Sequence, residues 1–321
     1  MPNTFKLVAN ISRLEFLPAN LASLVIAICW AINPATAVLT NVAIVAVISF
    51  VILALVSLIA AQLNSVYDYQ VDRTDENKKV IVRDVDSLGP GRIKRIVAVE
   101  FLISLPFISL LLWINWQPVL FLLWLAGNFL AYAYSVPPLR LKSRSWMEFL
   151  SLVLALSVLP ILFVYLAVTP NLSPLFLFFF VGQSMTVYSI IIPTETRDFF
   201  VDKAMNVITL TVRLGLVRAS MLALVLLSAG GVISGAAFIL ALSSIGKLPA
   251  TIFLIAMAVA DVKVLREFRK LHSLSRCYAT TANENVKREI VLLSKNNPKW
   301  ITMVSQAIVL MSIVLIVVKF L

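Results

Sequence analysis

The chain has 321 residues, of which 60% are apolar and only 13% charged, with 27 Lys and Arg against 16 Asp and Glu. That much apolar surface cannot be hidden inside a soluble fold of this size, which excludes a water-soluble globular protein and leaves a polytopic membrane protein. The formal charge of +11 then reads as membrane topology, and nucleic acid is not expected as a partner.

The opening stretch "MPNTFKLVANISRLEFLPAN" carries Lys6 and Arg13 and lacks a short apolar core followed by small residues, so no cleavable signal is expected. Apolar runs of the length that crosses a bilayer, roughly 20 residues each, follow at 20–39, 42–63, 96–116, 119–134, 147–169, 172–193, 219–242, 248–262 and 300–318. Residues 219–246 are too many for one span, and Pro249 marks the start of the next. Hydrocarbon cannot satisfy an open sheet edge, so all of these runs are expected as helices. The predicted fold class is all-α, a membrane protein of about nine transmembrane helices.

The segment before the first span holds two Lys or Arg, and the loops after spans two, four, six and eight hold seven, three, four and nine. Only Lys247 and Lys319 fall on the opposite side. The positive-inside rule therefore places the amino terminus and every charged loop in the cytoplasm, and the acidic residues accompany them. An integral protein of the cytoplasmic (inner) membrane is expected, with its chemistry facing the cytoplasm.

Two cysteines, Cys29 and Cys277, have no partner spacing, and His272 is the single histidine. Zinc, haem and disulfide chemistry are thereby excluded. Cys29 reads as packing and His272 as a solvated residue of the last basic loop.

Chemistry concentrates where spans end. In "QLNSVYDYQVDRTDENKK", residues 62–79, Asn64, Asp68 and Asp72 stand four apart, which on a helix makes one polar face with a rise of about 6 Å per step. In "TETRDFFVDKAMNVITLTVRLG", residues 194–215, Glu195, Asp198 and Asp202 repeat the arrangement at spacings of three and four. Each cluster ends the second helix of a half, which suggests an internal repeat: halves at about 1–145 and 146–264 around a central cavity, with a ninth helix at about 300–318. A single Asp at a helix end reads as interfacial; two matched stripes are harder to dismiss. Five carboxylates facing one cavity would repel unless cations intervened. Oxygen ligands without sulfur or imidazole select Mg²⁺, which bridges carboxylates to substrate phosphates. With a diphosphate the negative charge reaches about eight, enough for two or three Mg²⁺ and several basic side chains. Arg73, Lys78, Lys79, Arg140, Lys142, Arg197 and Lys203 are close by in sequence. In "YAYSVPPLRLKSRSWMEF", residues 132–149, Pro137 and Pro138 break the helix ahead of Arg140, Lys142 and Arg144. Such a rigid turn would point Arg140 and Lys142 at a fixed anion.

At these residues the chain resembles the UbiA superfamily of intramembrane prenyltransferases. The resemblance lies in NxxxDxxxD at Asn64, Asp68 and Asp72, in DxxxD at Asp198 and Asp202 followed by "TLTVRLG", and in "YSVPPLRLK" between them. "SRLEFLPANLASLV" and "RDFFVDK" with "TLTVRLG" look most like the 1,4-dihydroxy-2-naphthoate polyprenyltransferases of menaquinone biosynthesis. Three departures stand out. Ser65 replaces a usual Asp and Glu195 a common Asn; Asn206 replaces a common Gly; and "RTDENKKVIVRDVDSLGPGR" lacks the usual Arg-Pro-Leu run.

The resemblance implies one UbiA-like domain over the whole chain and Mg²⁺-dependent transfer from an allylic prenyl diphosphate to a lipophilic, aromatic quinone-precursor acceptor, amid membrane lipids. Asp68, Asp72, Asp198 and Asp202 would be catalytic metal ligands, joined by Asn64 and Glu195. Asn64, Arg73, Arg140, Lys142, Arg197, Lys203 and Tyr134 would contact substrate. Mg²⁺ would act on the diphosphate as a Lewis acid, and the helices would keep the cation dry. Tyr67, Tyr69, Tyr132, Tyr134 and Tyr188 could face that cation or serve as interfacial aromatics. A cyclase or hydrolase of prenyl diphosphate would keep both Asp motifs, and a transporter would also carry intramembrane carboxylates, nearer mid-span. The basic stretch 263–299 contains the helix-periodic "ENVKREIVLL" and reads as a surface helix, a lid or a solvated connector.

Overall fold

The structure is a computed structural model that describes residues 4–14, 17–35, 38–74, 78–243 and 247–320, with the backbone alone at 247–250, 252–261, 297, 298 and 300–302. Every regular element among the described residues is helical. Seven helical stretches among them are long and apolar enough to cross a membrane: Leu39–Tyr67, Pro90–Ile114, Pro118–Ser135, Trp146–Val168, Pro174–Ala204, Leu216–Ser243 and Met303–Phe320. They correspond to seven of the nine expected runs. The eighth run, 248–262, lies within the helix Lys247–Thr281, and apart from Thr251 and Val262 its side chains are outside the described residues.

The first expected span is shorter than predicted. Its helix, Leu17–Ala31, has 15 residues and rises only about 22 Å at 1.5 Å per residue, below the bilayer's ~30 Å core. Pro34 disfavours the helical conformation at Asn33, and the Asn33 side-chain oxygen accepts from the Ala35 amide at 3.2 Å. The residues at 36 and 37 lie outside those described.

The chain divides into two compact units, one comprising 1–28, 37–142 and 159–170, the other 29–36, 143–158 and 171–321. In the first, α1 (Thr4–Ile11) and the opening of α2 (Leu17–Ala31) precede α3 (Leu39–Tyr67), a four-residue turn α4 (Tyr69–Asp72), α5 (Lys79–Leu88), α6 (Pro90–Ile114) and α7 (Pro118–Ser135). Ile59 and Leu63 of α3 pack with Ala131 and Val136 at the end of α7, flanked by Val97 and Phe101 of α6. Phe101 stacks on Trp124 at 5.3 Å, whose indole N–H donates to Ser104 Oγ at 3.2 Å. The loop after the first Asp motif is the amphipathic α5. Its Val85 and Leu88 bury against Leu7 and Ile11 of α1, and Asn10 Nδ2 donates to the buried Asp84 at 2.7 Å.

α8 (Trp146–Val153) continues through one π turn, Leu154–Val158, into α9 (Leu159–Val168). Pro160 has no N–H to donate back along the helix, and the π turn just before it absorbs the interruption. α9 belongs to the first unit, where Asn115 Nδ2 and Gln117 Nε2 cap its final carbonyls at Ala167 (2.8 Å) and Leu166 (2.7 Å).

The second unit contains α8, α10 (Pro174–Ala204), α11 (Leu210–Leu214), α12 (Leu216–Ser243), α13 (Lys247–Thr281), α14 (Glu284–Lys295) and α15 (Asn297–Phe320). α14 is a helix, as its periodicity predicts, but its apolar face is covered by protein: Ile290 is fully buried with Phe199, Leu216 and Leu271. The surface-helix reading is thereby corrected, since the apolar side needed to hold it on lipid already has a partner. Trp30 stacks on Phe179 at 4.5 Å and meets Phe238 edge-on at 5.1 Å. Lys319 Nζ donates to the carbonyls of Cys29, Trp30 and Ile32 at 3.1–3.2 Å, closing the C-terminal end of α2.

α10 and α12 touch backbone to backbone. A Cβ on Gly182 would lie 2.5 Å from the Ser234 amide and 2.8 Å from the Gly230 carbonyl, and one on Gly230 would lie 2.7 Å from the Gly182 carbonyl. Close approach through small residues is how membrane helices gain packing energy without a hydrophobic drive. Gly182→Val should cost about 1–3 kcal/mol or more through overpacking and lower the thermal midpoint of the purified protein by several degrees. Gly235→Ala, at a site with nothing within 4 Å, should leave the midpoint unchanged. A thermal-shift measurement on both variants checks this.

Candidate active site

In the first unit the polar stripe survives a break in its helix. α3 ends at Tyr67, and Asp68 takes φ −93°, ψ 0° before α4. The ladder still runs through: the Asp68 amide donates to the Asn64 carbonyl and the Asp72 amide to the Asp68 carbonyl, both at 2.9 Å. Asn64, Asp68 and Asp72 therefore keep one side.

Asp68 is 1% exposed. Lys142 Nζ donates to its Oδ2 at 2.5 Å, and Arg140 Nη2 lies 3.6 Å from its Oδ1. Asp72 is equally buried; Lys78 Nζ donates to its Oδ1 at 2.6 Å, while Oδ2 has no hydrogen-bond partner. Ser135 Oγ donates to Asn64 Oδ1 at 3.3 Å. The Pro-Pro turn after α7 delivers both cations. Its Pro137–Pro138 bond is cis, Arg140 adopts a left-handed φ of 36°, and a 3₁₀ turn, Leu141–Ser143, follows. The fixed anion that this turn addresses is Asp68 itself. Arg140 Nε is buried without a partner, so donor capacity remains. Tyr134 is half-buried in the last turn of α7.

Arg73 faces outward, its guanidinium 5.7 Å from the centre of the Tyr69 ring. The Tyr69 hydroxyl donates to Asp86 Oδ1 at 2.5 Å, and that bond holds its pKa above the ordinary tyrosine value. Tyr67 is covered by Lys94 at 5.0 Å, and Tyr132 is exposed.

In the second unit, α10 continues through Pro193 and carries Glu195, Asp198 and Asp202 on a single unbroken helix, with the spacing that one face requires. Their surroundings differ from those in the first unit. Arg197 grips its neighbour Asp198 with two bonds, Nε to Oδ1 at 2.8 Å and Nη2 to Oδ2 at 2.9 Å, and both side chains are about one-third exposed. Asp202 is half-buried, and its carbonyl accepts from the Val207 amide at 2.9 Å. Lys203 is exposed over the Phe199 ring at 5.8 Å. Tyr188 is buried and meets Phe149 edge-on at 4.2 Å.

Glu195 is buried and holds the segment after the motif. Its Oε2 accepts from Thr211 Oγ1 at 2.6 Å and from the Thr211 amide at 3.2 Å, leaving Oε1 without a partner. Glu148, on α8, accepts from the Leu210 amide at 2.8 Å. Thr209 caps the Val212 amide at 3.2 Å. "TLTVRLG" thus folds as a short helix whose first amides end on two buried glutamates and a threonine. Sequence reasoning missed Glu148; its signal was a carboxylate near the start of an apolar run, costly in a membrane unless it has a task.

The departures from the family pattern also have a place. Ser65 is buried and donates to the carbonyls of Ile11 (3.2 Å) and Ala61 (2.9 Å), so it serves the packing of α1 on α3. Asn206 has φ +55°, the left-handed region that glycine enters freely and asparagine enters more readily than other residues. Among the described residues no three His, Cys, Asp or Glu side chains converge as a ready-made metal cluster.

Residues 24–280 match the UbiA prenyltransferase family. The chain belongs to this family. No curated protein matches it. Among solved structures it is similar to one described for digeranylgeranylglyceryl phosphate synthase in membranes, at 14% identity and TM-score 0.64, covering 97% of this chain and 99% of that one. It is also similar to a UbiA homolog from Archaeoglobus fulgidus bound to GPP and Mg²⁺, at 16% identity and TM-score 0.58, covering 94% and 99%. A third is the apo UbiA homolog from Aeropyrum pernix K1, at 13% identity and TM-score 0.54, covering 88% and 97%. At these identities the likeness establishes the fold, an all-helical integral membrane protein.

The brace on 209–215 is open to a local test. Glu148→Ala leaves the Leu210 amide buried without an acceptor, at a cost of about 1–3 kcal/mol. Hydrogen exchange at 209–215 should then rise at least tenfold, and Glu148→Gln, which keeps an oxygen acceptor, should restore most of the protection. Unchanged exchange in Glu148→Ala would show that the carboxylate does not hold this segment.

Proposed function

We propose that this protein transfers a prenyl group from an allylic prenyl diphosphate to a lipophilic acceptor within the membrane, with Mg²⁺ as cofactor and the site open to the cytoplasm. The observation that carries the proposal is the charge cluster on Asp68: a buried carboxylate held between Lys142 and Arg140, beside an Asp72 oxygen with no partner. It joins the cation-binding and anion-binding groups that a metal diphosphate needs, in a chain of the prenyltransferase family. The Archaeoglobus homologs bound to GPP or DMAPP with Mg²⁺ support the choice of donor and ion.

The residues fit Mg²⁺ by donor chemistry. All are oxygen donors, and the pairing of Asp68 and Asp72 with ammonium groups in the first unit supports reading both as ionised carboxylates suited to a cation. In the first unit Asp68 and Asp72 would hold Mg²⁺ with the Asn64 amide oxygen as a further donor, and in the second Asp198 and Asp202 would do so with Glu195 Oε1. When bound, Mg²⁺ supplies Lewis-acid stabilisation of the diphosphate leaving group. Arg140 and Lys142 bind diphosphate oxygens through charge-assisted hydrogen bonds, and Arg73, Arg197 and Lys203 add positive charge around them. Cleavage passes the C1–O pair to the diphosphate. An acceptor carbon captures the allylic cation and then loses its proton. The apolar helices hold the prenyl tail and exclude water, and Tyr134 is placed to line the substrate. We take the acceptor to be an aromatic quinone precursor of the 1,4-dihydroxy-2-naphthoate type, on the strength of the sequence likeness at "SRLEFLPANLASLV" and "TLTVRLG".

Incubating the protein in membranes with Mg²⁺, a labelled prenyl diphosphate and a panel of aromatic and glycerol-phosphate acceptors should yield a prenylated aromatic product. A glycerol-phosphate product would reassign the acceptor, and free prenyl alcohol or a cyclised product alone would overturn transfer. Chelating Mg²⁺, or replacing Asp68 or Asp198 by Asn, should reduce diphosphate release at least a hundredfold in folded protein; near-normal turnover would refute the metal role. Arg140→Ala should raise the donor KM about tenfold, as expected for one lost charged hydrogen bond, and leave the acceptor KM unchanged.

A further inference from the structure

A cavity of about 400 Å³ opens between α12 and α13, lined by Leu224, Arg269, His272, Ser273, Arg276, Cys277 and Thr280. The α13 residues at 269, 272, 273, 276 and 280 recur at the spacing of one helical face. That face is polar and cationic although it borders a membrane helix. Neither arginine has an acidic partner among the described residues, where Lys270 takes Glu289 at 3.0 Å. Glu267 stands two residues before Arg269, about 200° round the helix. His272 Nδ1 is fixed by Ser220 Oγ at 3.1 Å, leaving Nε2 without a protein partner among the described residues.

Depth and size narrow the ligand. The 28 residues of α12 rise about 42 Å and exceed the ~30 Å hydrocarbon by about 12 Å. Arg218, the one charged residue of α12, puts that surplus at the Leu216 end, and Leu224, the ninth residue from it, then falls near the boundary between hydrocarbon and headgroups. At about 400 Å³ the cavity offers far more room than a lone phosphate fills. Two guanidinium forks, an imidazole and the Ser273 hydroxyl along one open groove, with a leucine at its edge, match a phosphodiester carrying glycerol and acyl chains; the Thr280 hydroxyl already donates to the Cys277 carbonyl at 2.9 Å.

We propose that this groove binds the headgroup of an anionic phospholipid, with Arg269 and Arg276 on the phosphate and His272 and Ser273 on the remaining polar atoms. The proposal does not depend on the prenyl-transfer reading. The test uses the full-length protein in detergent, titrated with phosphatidylglycerol or phosphatidylcholine and followed by native mass spectrometry. Phosphatidylglycerol should be retained in preference, and the double variant Arg269→Gln/Arg276→Gln should weaken its apparent affinity about tenfold or more, as expected for two lost cations at the membrane surface. A charge-matched control, Arg92→Gln/Arg288→Gln, removes two exposed arginines elsewhere and should keep the preference. Equal loss in both double variants would reduce the effect to bulk electrostatics and overturn the site. So would displacement of the lipid by millimolar inorganic phosphate, which would identify a free-phosphate site instead.

Discussion

Hydrocarbon offers no hydrogen bonds, so every polar group that this chain carries into the bilayer must find its partner within the chain. Much of the structure follows from that constraint. The end of α9 is closed by Asn115 and Gln117, and the end of α2 by the ammonium of Lys319. The first amides of α11 end on Glu148 and Glu195. All but the Thr211–Glu195 contact, 16 residues apart, join elements at least 49 residues apart in sequence, so satisfying a local backbone need also chooses a tertiary neighbour.

The same constraint gives the two carboxylate stripes different characters. In the first unit Asp68 and Asp72 are almost fully buried and must be met by Lys142, Arg140 and Lys78. Buried pairs of this kind recover little beyond their desolvation cost, so they hold opposite charges together without adding much to stability. In the second unit Asp198 is partly exposed and served by the adjacent Arg197. The buried acid there is Glu195, spent largely on Thr211. Two motifs alike in spacing thus do unlike work.

Departures from the family pattern follow the same logic. Ser65 faces α1, where a small hydroxyl donates to the carbonyls of Ile11 and Ala61. Asn206 takes the one backbone conformation that favours glycine and next tolerates asparagine. Neither change alters a carboxylate of the stripes.

Membrane insertion, the all-helical class, most of the spans and the two acidic stripes were legible in the sequence, because hydropathy and helical spacing are local properties of the chain. So was the break after α7 that Pro137 and Pro138 impose ahead of Arg140 and Lys142. The early stop of α2 at Ala31 was legible in principle from Asn33 and Pro34, but an unbroken apolar run masked it. What only the tertiary structure decided is which partners these groups take. Nothing local says that the anion at Arg140 is Asp68, that Glu148 serves Leu210 across 62 residues, or that Lys319 closes a helix some 290 residues earlier. Nor does a basic stretch announce that α14 buries Ile290 while Arg269 and Arg276 keep an open groove. Such pairings depend on where distant helices come to lie, and that is set by the packing of the whole chain, not by any window of it.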